Sequence, residues 1–314
     1  MSFSGTVKEE LAKHVSPARH CQLAELSAIL HYCGQVRRDE EGEALLQIRT
    51  ENSSVARKYF TLLKKTFNID TDVILDGQKD ERGSSAEQLV VHGKEDVVRI
   101  LQAVKWMDKD GKLQDESHKV NPLLIKNACC QRAFLRGAYL AIGSMSDPEK
   151  SYHLELVCME EEQAEQLQEL IQGFGLEARI VRRKKYHVVY MKEGACIVDF
   201  LNIIEAHVAL MELENLRIVK EMRNSINRRV NCEAANITKT VNAASKQTED
   251  IILIRDTFGF DNLSESLRQM AEVRLEHPDA TLKELGEFLT PSVGKSGVNH
   301  RLRKLSELAE KIRV

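Results

Sequence analysis

The stretch "CQLAELSAILHYCG" (Cys21–Gly34) decides the fold, because "CQRAFLRGAYLAIG" (Cys130–Gly143) repeats its pattern 109 residues later. At about 100° per residue, Leu23, Leu26, Ile29, Leu30 and Cys33 share one helical face, while Cys21, Ala24 and Ala28 form a narrow stripe of small residues. In the second copy Leu135, Ala138, Tyr139 and Ile142 take the broad face, and Cys130, Ala133 and Gly137 the narrow one. A broad apolar face suits a helix lying on a sheet. A small-residue stripe lets a second helix come close, because interaxial distance follows side-chain size at the contact. Gly137 in mid-helix costs about 1 kcal/mol relative to Ala, so a packing reason is expected. The simplest partner for each stripe is the other copy. Ser16 before Pro17 supplies the expected start of the first helix, a capping side chain followed by a residue suited to the first helical position.

The echo continues beyond the helices. "LLQIRT" (Leu45–Thr50) corresponds to "HLELVC" (His153–Cys158), both alternating like half-buried strands and each leading into a helical stretch. Those stretches end alike, at Phe67-Asn68-Ile69 and Phe174-Gly175-Leu176. "DVIL" and "ARIV" follow, then the runs "QLVVH" (Gln88–His92) and "YHVVYM" (Tyr186–Met191), each passing into a closing helix. The first half carries the longer loop, "DGQKDERGSSAE", where the second has "RRKK". The fold class expected is α+β, an αββαββα unit duplicated across residues 1–218, with half-repeats about 1–110 and 120–218.

Composition narrows the function classes. A chain of 314 residues that is 42% hydrophobic can bury two domains. It has no run of about 18 to 20 apolar residues, and "MSFSGTVKEELAKH" lacks the apolar core of a signal peptide, so a soluble, cytoplasmic, membrane-free protein is expected. Seven cysteines, Cys21, Cys33, Cys129, Cys130, Cys158, Cys196 and Cys232, include no CxxC or zinc-type Cys/His spacing, and read as reduced thiols without a metal. The signatures GxxxxGK[ST], GxGxxG and HExxH are absent, and no cofactor is expected. Residues 217–314 hold 17 Lys/Arg against 14 Asp/Glu, a balance of +3, which leaves −6 for residues 1–216. The tail is the basic end.

From Ile203 onward the chain keeps apolar residues at helical spacing without Pro or Gly, so a long helix is expected to join the two parts. "NRRVNCEAANITKTVNAASKQ" (Asn227–Gln247) has two readings, a solvated helical pair with cap residues at its turns, or a surface that touches phosphates. Further on, "NLSESLRQMAEVRLEH" reads as one helix, Pro278-Asp279 as a break, "TLKELGEFL" (Thr281–Leu289) as a second helix and "SGVNHRLRKLSELAEKI" (Ser296–Ile312) as a third. That is a helix-turn-helix order over about residues 281–312, within a helical domain of 222–314. Thr281 and Ser296 suit N-caps, and Glu284 completes a capping-box pattern with Thr281.

In the third helix Val298, Leu302, Leu305, Ala309 and Ile312 line a core face. Opposite lie Ser296, Asn299, His300 and Arg303, with Lys304 beside them and Arg301 nearer the core boundary. Arg can bond the O6 and N7 atoms of guanine and Asn the N6 and N7 atoms of adenine, so these residue types suit a major groove. Lys295 and the free N–H groups of the helix start suit a phosphate. The connection "TPSVGK" is longer than a tight helix-turn-helix turn, which puts individual base contacts in question.

The duplicated unit with small-residue helices resembles the LAGLIDADG homing endonucleases. The resemblance implies two motif helices packed at a pseudo-twofold axis, eight strands in a saddle, and a metal-binding acid before each motif's final Gly. Here those positions are Cys33 and Ile142, neither of which can hold Mg²⁺ for phosphodiester cleavage. Glu25 lies about two turns upstream and is matched by Phe134; Asp147 lies beyond the second motif. A catalytically dead scaffold is expected.

With "NRRVNCEAAN" and "KSGVNHRLRKL" added, the whole chain is similar to the WhiA family of bacterial regulators. Asn227, Arg228, Asn231, Ala235 and Asn236 match the family's Asn-Arg…Asn…Ala-Asn pattern, and Ser296, Gly297, Asn299, Arg301 and Leu302 its tail signature. The resemblance implies a helix-turn-helix related to sigma-factor region 4, and a sequence-specific transcription regulator of sporulation or cell division, nucleoid-associated and without enzymatic activity. Asn227, Arg228, Asn231, Asn236 and Lys239 are the candidate phosphate contacts. The expected partner is double-stranded DNA, with transcription or cell-division proteins as partners of the acidic front half; a monomer is compatible with this reading. Two alternatives stand beside it: an adaptor with little sequence preference, and a residual Mg²⁺-dependent nuclease. Single-strand binding is disfavoured, because aromatics make up only 5% of residues and none lies on the recognition face.

Overall fold

The computed structural model describes residues 2–38, 42–69, 72–79, 85–113 and 118–313. It forms two compact units, Met1–Val219 and Lys220–Val314. In the first unit α1 (Phe3–Lys13) precedes two copies of one motif. The first copy runs α2 (Arg19–Cys33), β1 (Gly34–Arg38), β2 (Ala44–Thr50), α3 (Ser53–Phe67), β3 (Asp72–Lys79), β4 (Ser85–Val91) and α4 (Lys94–Ala103). The second runs α5 (Ala128–Ile142), β5 (Gly143–Met145), β6 (Leu154–Cys158), α6 (Glu161–Gly173), β7 (Arg179–Arg183), β8 (Tyr186–Met191) and α7 (Gly194–Ile203).

The sheets share one order, β1-β2-β4-β3 and β5-β6-β8-β7, all antiparallel. They also share one register. Gly34 faces Ile48, Ile48 faces Leu89 and Leu89 faces Val73; Gly143 faces Leu156, Leu156 faces Val189 and Val189 faces Ile180. A one-residue slip would turn every core side chain to the opposite face, so this agreement identifies a duplication at the level of side-chain direction. The echo at the ends of the third and sixth helices has a backbone cause: Asn68 (φ 57°) and Gly175 (φ 82°) are both left-handed, a conformation these two residue types tolerate.

Three details differ from the sequence reading. The helix beginning near Ser16 starts instead at Arg19, with Ala18 at its cap and no side-chain capping bond; the Ser16 carbonyl accepts from Gln22 Nε2. Helix α1 was not foreseen, and buries Val7 and Leu11 in the core. The stretch read as a long loop, residues 76–87, contributes to β3 and β4 on both sides, and its residues 80–84 lie outside the described residues.

The small stripes meet. Cys21, Ala24, Cys130 and Ala133 form a buried cluster between α2 and α5, and a Cβ on Gly137 would lie 2.5 Å from the Glu25 carbonyl oxygen and 2.9 Å from Ala28 Cβ. Gly137 is therefore a close-approach glycine. Across this contact lies a buried ion cluster: Glu25 Oε1 sits 2.8 Å from Lys58 Nζ and 2.9 Å from Arg136 Nε, and Arg136 Nη1 pairs with Glu205. Lys58 also donates to the carbonyls of Leu11 and His14 at the end of α1. Burial pushes the Lys58 ammonium down against the pull of Glu25; burial also opposes the Arg136 charge, but Glu25 and Glu205 together hold it up.

After α7 comes α8 (His207–Thr257), 51 residues without a break, in which the boundary between the units falls. The helical pair considered for residues 227–247 is thus a single continuous helix. Among the described residues, no helix is long and apolar enough to cross a membrane.

Candidate nucleic-acid interface

In the second unit, α8 from Lys220 is followed by α9 (Glu265–Glu276), α10 (Leu282–Phe288) and α11 (Lys295–Arg313). Ile251, Ile254, Met270, Leu285, Leu289, Val298, Leu302, Leu305 and Ala309 close its core. The end of α8 therefore supplies a wall of the domain that the helix-turn-helix reading did not include. At its far end Arg313 Nη2 lies 2.8 Å from the buried Asp250 of α8, tying down α11.

Thr281 caps α10 as expected: its hydroxyl accepts from the Glu284 amide, and Glu284 Oε2 accepts from the Thr281 amide at 2.8 Å. That backbone hydrogen bond holds the Glu284 carboxyl below the usual carboxylate range. Ser296 is not the cap of the third helix. Helix α11 starts one residue earlier, and the Gly294 carbonyl accepts from the amides of Gly297 and Val298, leaving Ser296 in the first turn. The six residues between α10 and α11 fold back tightly: the Val293 amide donates to the Gly286 carbonyl at 2.9 Å, and a Cβ on Gly286 would lie 2.0 Å from the Val293 oxygen.

On α11 the side chains of Lys295, Ser296, Asn299, His300, Arg303 and Lys304 are exposed. With the buried residues centred on one side, Ser296, Arg303 and His300 lie nearly opposite the core by helix geometry, and Asn299 and Lys304 flank them. Arg303 Nε already pairs with Glu307 Oε1 at 3.0 Å, an exposed i,i+4 contact of the weak surface kind. Arg301 turns the other way and donates to the Ser266 carbonyl of α9, so its place is between helices rather than on the outer face.

Beside this face opens a cavity of about 420 Å³. Lys239 of α8, Lys283 of α10, and Lys295 and Asn299 of α11 line it, with no carboxylate among the lining residues. Arg274 forms its floor, fixed by two bonds to Gln247 Oε1 and one to the Ala280 carbonyl. Burial lowers the Arg274 guanidinium from its ordinary value, partly offset by Asp279, and an Arg so high in pKa stays charged. Lys283, Arg274 and Gln247 were missed by sequence reasoning, since nothing in their local pattern distinguishes them from surface-helix residues.

The five candidate phosphate residues of α8 are all exposed, but the helix does not bring them to one side. Taking the lining residues Lys239, Thr240, Ala243 and Gln247 as the cavity side, Asn236 falls at its centre and Arg228 at its edge. Asn227 and Asn231 point elsewhere.

The positions that would carry metal in an endonuclease close α2 and α5. Both helices pass directly into a strand, at Gly34 (φ −87°, ψ 149°) and Gly143 (φ −81°, ψ 147°), where a Cβ would meet the Leu30 or the Tyr139 carbonyl oxygen. Burial raises the Cys33 thiol to about 11, and lowers nearby Lys8 to about 8. A cavity beside Cys33 includes Glu51, an acid not singled out from the sequence, together with Arg49. Glu25 is held by Lys58 and Arg136. Among the described residues, no cluster of three or more metal-ligating side chains forms at these helix ends.

Three family descriptions match the chain: a WhiA N-terminal LAGLIDADG-like domain over residues 19–106, a WhiA LAGLIDADG-like domain over 131–223, and a WhiA C-terminal HTH domain over 226–309. A probable cell division protein WhiA of Lachnoclostridium phytofermentans is 55% identical over 314 residues, 100% of each chain. One of Alkaliphilus oremlandii is 50% identical over 313 residues, 99% of this chain and 98% of its own. The crystal structure of full-length WhiA from Thermatoga maritima has the same fold, with a TM-score of 0.60 at 24% identity over 99% of each chain. By these end-to-end matches, and by the two LAGLIDADG-like repeats followed by a helix-turn-helix, the chain belongs to the WhiA family.

Proposed function

We propose that the protein is a non-enzymatic, sequence-specific double-stranded DNA-binding regulator acting in cell division or sporulation; the names of its relatives support the cell-division part and the match to an HTH domain supports the DNA binding. The observation that carries this reading is the outer face of α11 set beside a carboxylate-free cationic cavity. Asn299, His300 and Arg303 read base edges in the major groove, and Lys239, Lys283 and Lys295 hold backbone phosphates. Ser296 and Lys304 contribute at the margin, whereas Arg301 supports α11 from behind.

Fragment selection from sheared duplex DNA with the full chain, at near-physiological salt with Mg²⁺, tests the proposal. One enriched motif in uncut DNA is expected. Arg303→Ala should lose about 1–3 kcal/mol on that motif and relax one position of it, while Lys295→Ala weakens all sequences alike. A flat sequence profile would favour the adaptor reading, and shortened fragments would reveal a nuclease.

A further inference from the structure

Helices α2 and α5 do more at their first turns than pack. His20 and Cys21 open α2, and Cys129 and Cys130 open α5; because the small-residue contact draws the two helices together, these four side chains converge. Nδ1 of His20 and the Sγ atoms of Cys21, Cys129 and Cys130 all lie within 4.8 Å of one another. His20 Nδ1 is 3.2 Å from Cys130 Sγ and 3.3 Å from Cys21 Sγ. A tetrahedral zinc ion, with Zn–S about 2.3 Å and Zn–N about 2.0–2.1 Å, sets its donor atoms roughly 3.5–3.8 Å apart, so the four donors stand near the spacing that one ion spans.

The chemistry of the set is selective. It contains three thiols, one imidazole and no carboxylate, a soft donor set that favours zinc over magnesium or calcium. The three cysteines are free of disulfides, with Cys21 and Cys130 buried and His20 and Cys129 exposed, so an ion can enter from solvent and finish on buried sulfur. Burial raises the Cys21 thiol to about 11 and raises that of Cys130 as well, so an ion must displace their protons on binding; the two helix N-termini beside the cluster act in the opposite direction, favouring the thiolates. We propose that His20, Cys21, Cys129 and Cys130 bind one zinc ion in a closed, four-ligand structural site that clamps the two repeats together. This site is independent of the DNA-binding face and of the helix ends at Cys33 and Ile142.

The test is titration of the full chain with Co²⁺ after removal of metal under reducing conditions, followed by Zn²⁺ competition. Thiolate-to-cobalt absorption with the intense d–d bands of tetrahedral cobalt should saturate at one equivalent and vanish on adding zinc. His20→Ala and Cys129→Ser change exposed residues, so they keep the fold by circular dichroism; each should bind cobalt at least tenfold more weakly, whereas Cys232→Ser binds as wild type does. Absence of these bands from the reduced wild-type chain would overturn the site. So would bands unchanged in both variants, or a Cys21–Cys130 disulfide forming when reductant is removed in the presence of equimolar zinc.

Discussion

Glu25 shows how much one residue decides. Its carboxylate is fully buried and is shared by Lys58 and Arg136, cations that arrive from α3 and α5. Glu25→Gln leaves Lys58 with only the Leu11 and His14 carbonyls and Arg136 with Glu205 as its one remaining carboxylate, so unit 1 should lose about 3–5 kcal/mol in urea unfolding. Replacing Glu25, Lys58 and Arg136 together by apolar residues of similar size should restore most of that loss, since the group carries its own desolvation penalty. Two half-buried histidines contribute to the acid limb. Burial lowers the His31 ring to about 4, and His14 is lowered by burial with Arg136 adding to it, while both titrate near 6.5 in the unfolded chain. The unfolded state therefore binds protons first as pH falls from about 6.5 to 4, and stability declines across that window. For His31, which keeps some contact with water, the loss is about 2 kcal/mol by pH 4. His31→Gln should flatten the decline in a series of unfolding curves over this range; an unchanged slope would remove His31 as its source.

At the scale of elements, α2 and α5 are held by absence of side chain. Gly137→Val adds its Cβ where the Glu25 carbonyl and Ala28 already stand, so the helices must part. The expected cost is about 1–3 kcal/mol or more, read as a lowered urea midpoint. Gly173→Ala, at a position with open space, serves as the control and should stay within about 0.5 kcal/mol. The contrast between Ser16 and Thr281 is instructive here. Both look like N-caps in sequence, yet only Thr281 forms its capping box, because Ser16 lies two residues ahead of the cap position and its carbonyl is taken by Gln22.

The whole molecule divides its charge, with −6 ahead of Arg217 and +3 from Arg217 onward. If Lys239, Lys283, Lys295 and Lys304 engage phosphates, the logarithm of affinity should fall with the logarithm of salt at a slope of roughly −3 to −4. Reversing the charge of Lys239 and Lys295 should make the slope shallower by about two in fluorescence-anisotropy titrations. A slope unaltered by these changes would move the phosphate contacts elsewhere.

Local periodicity determined the duplicated αββαββα order, the facing small stripes and the core face of α11, because helical and strand periods are written within a dozen residues. Whether residues 227–247 form one helix or two is not written in their polar, Asn-rich pattern, since nearly all of them are exposed and no apolar face marks their direction; the structure shows α8 continuous through them. The cavity joins Lys239, Lys283 and Lys295 from three helices, and the His20, Cys21, Cys129 and Cys130 cluster joins residues from two repeats. Neither has a sequence spacing to read, since each is made by helices meeting across long stretches of chain.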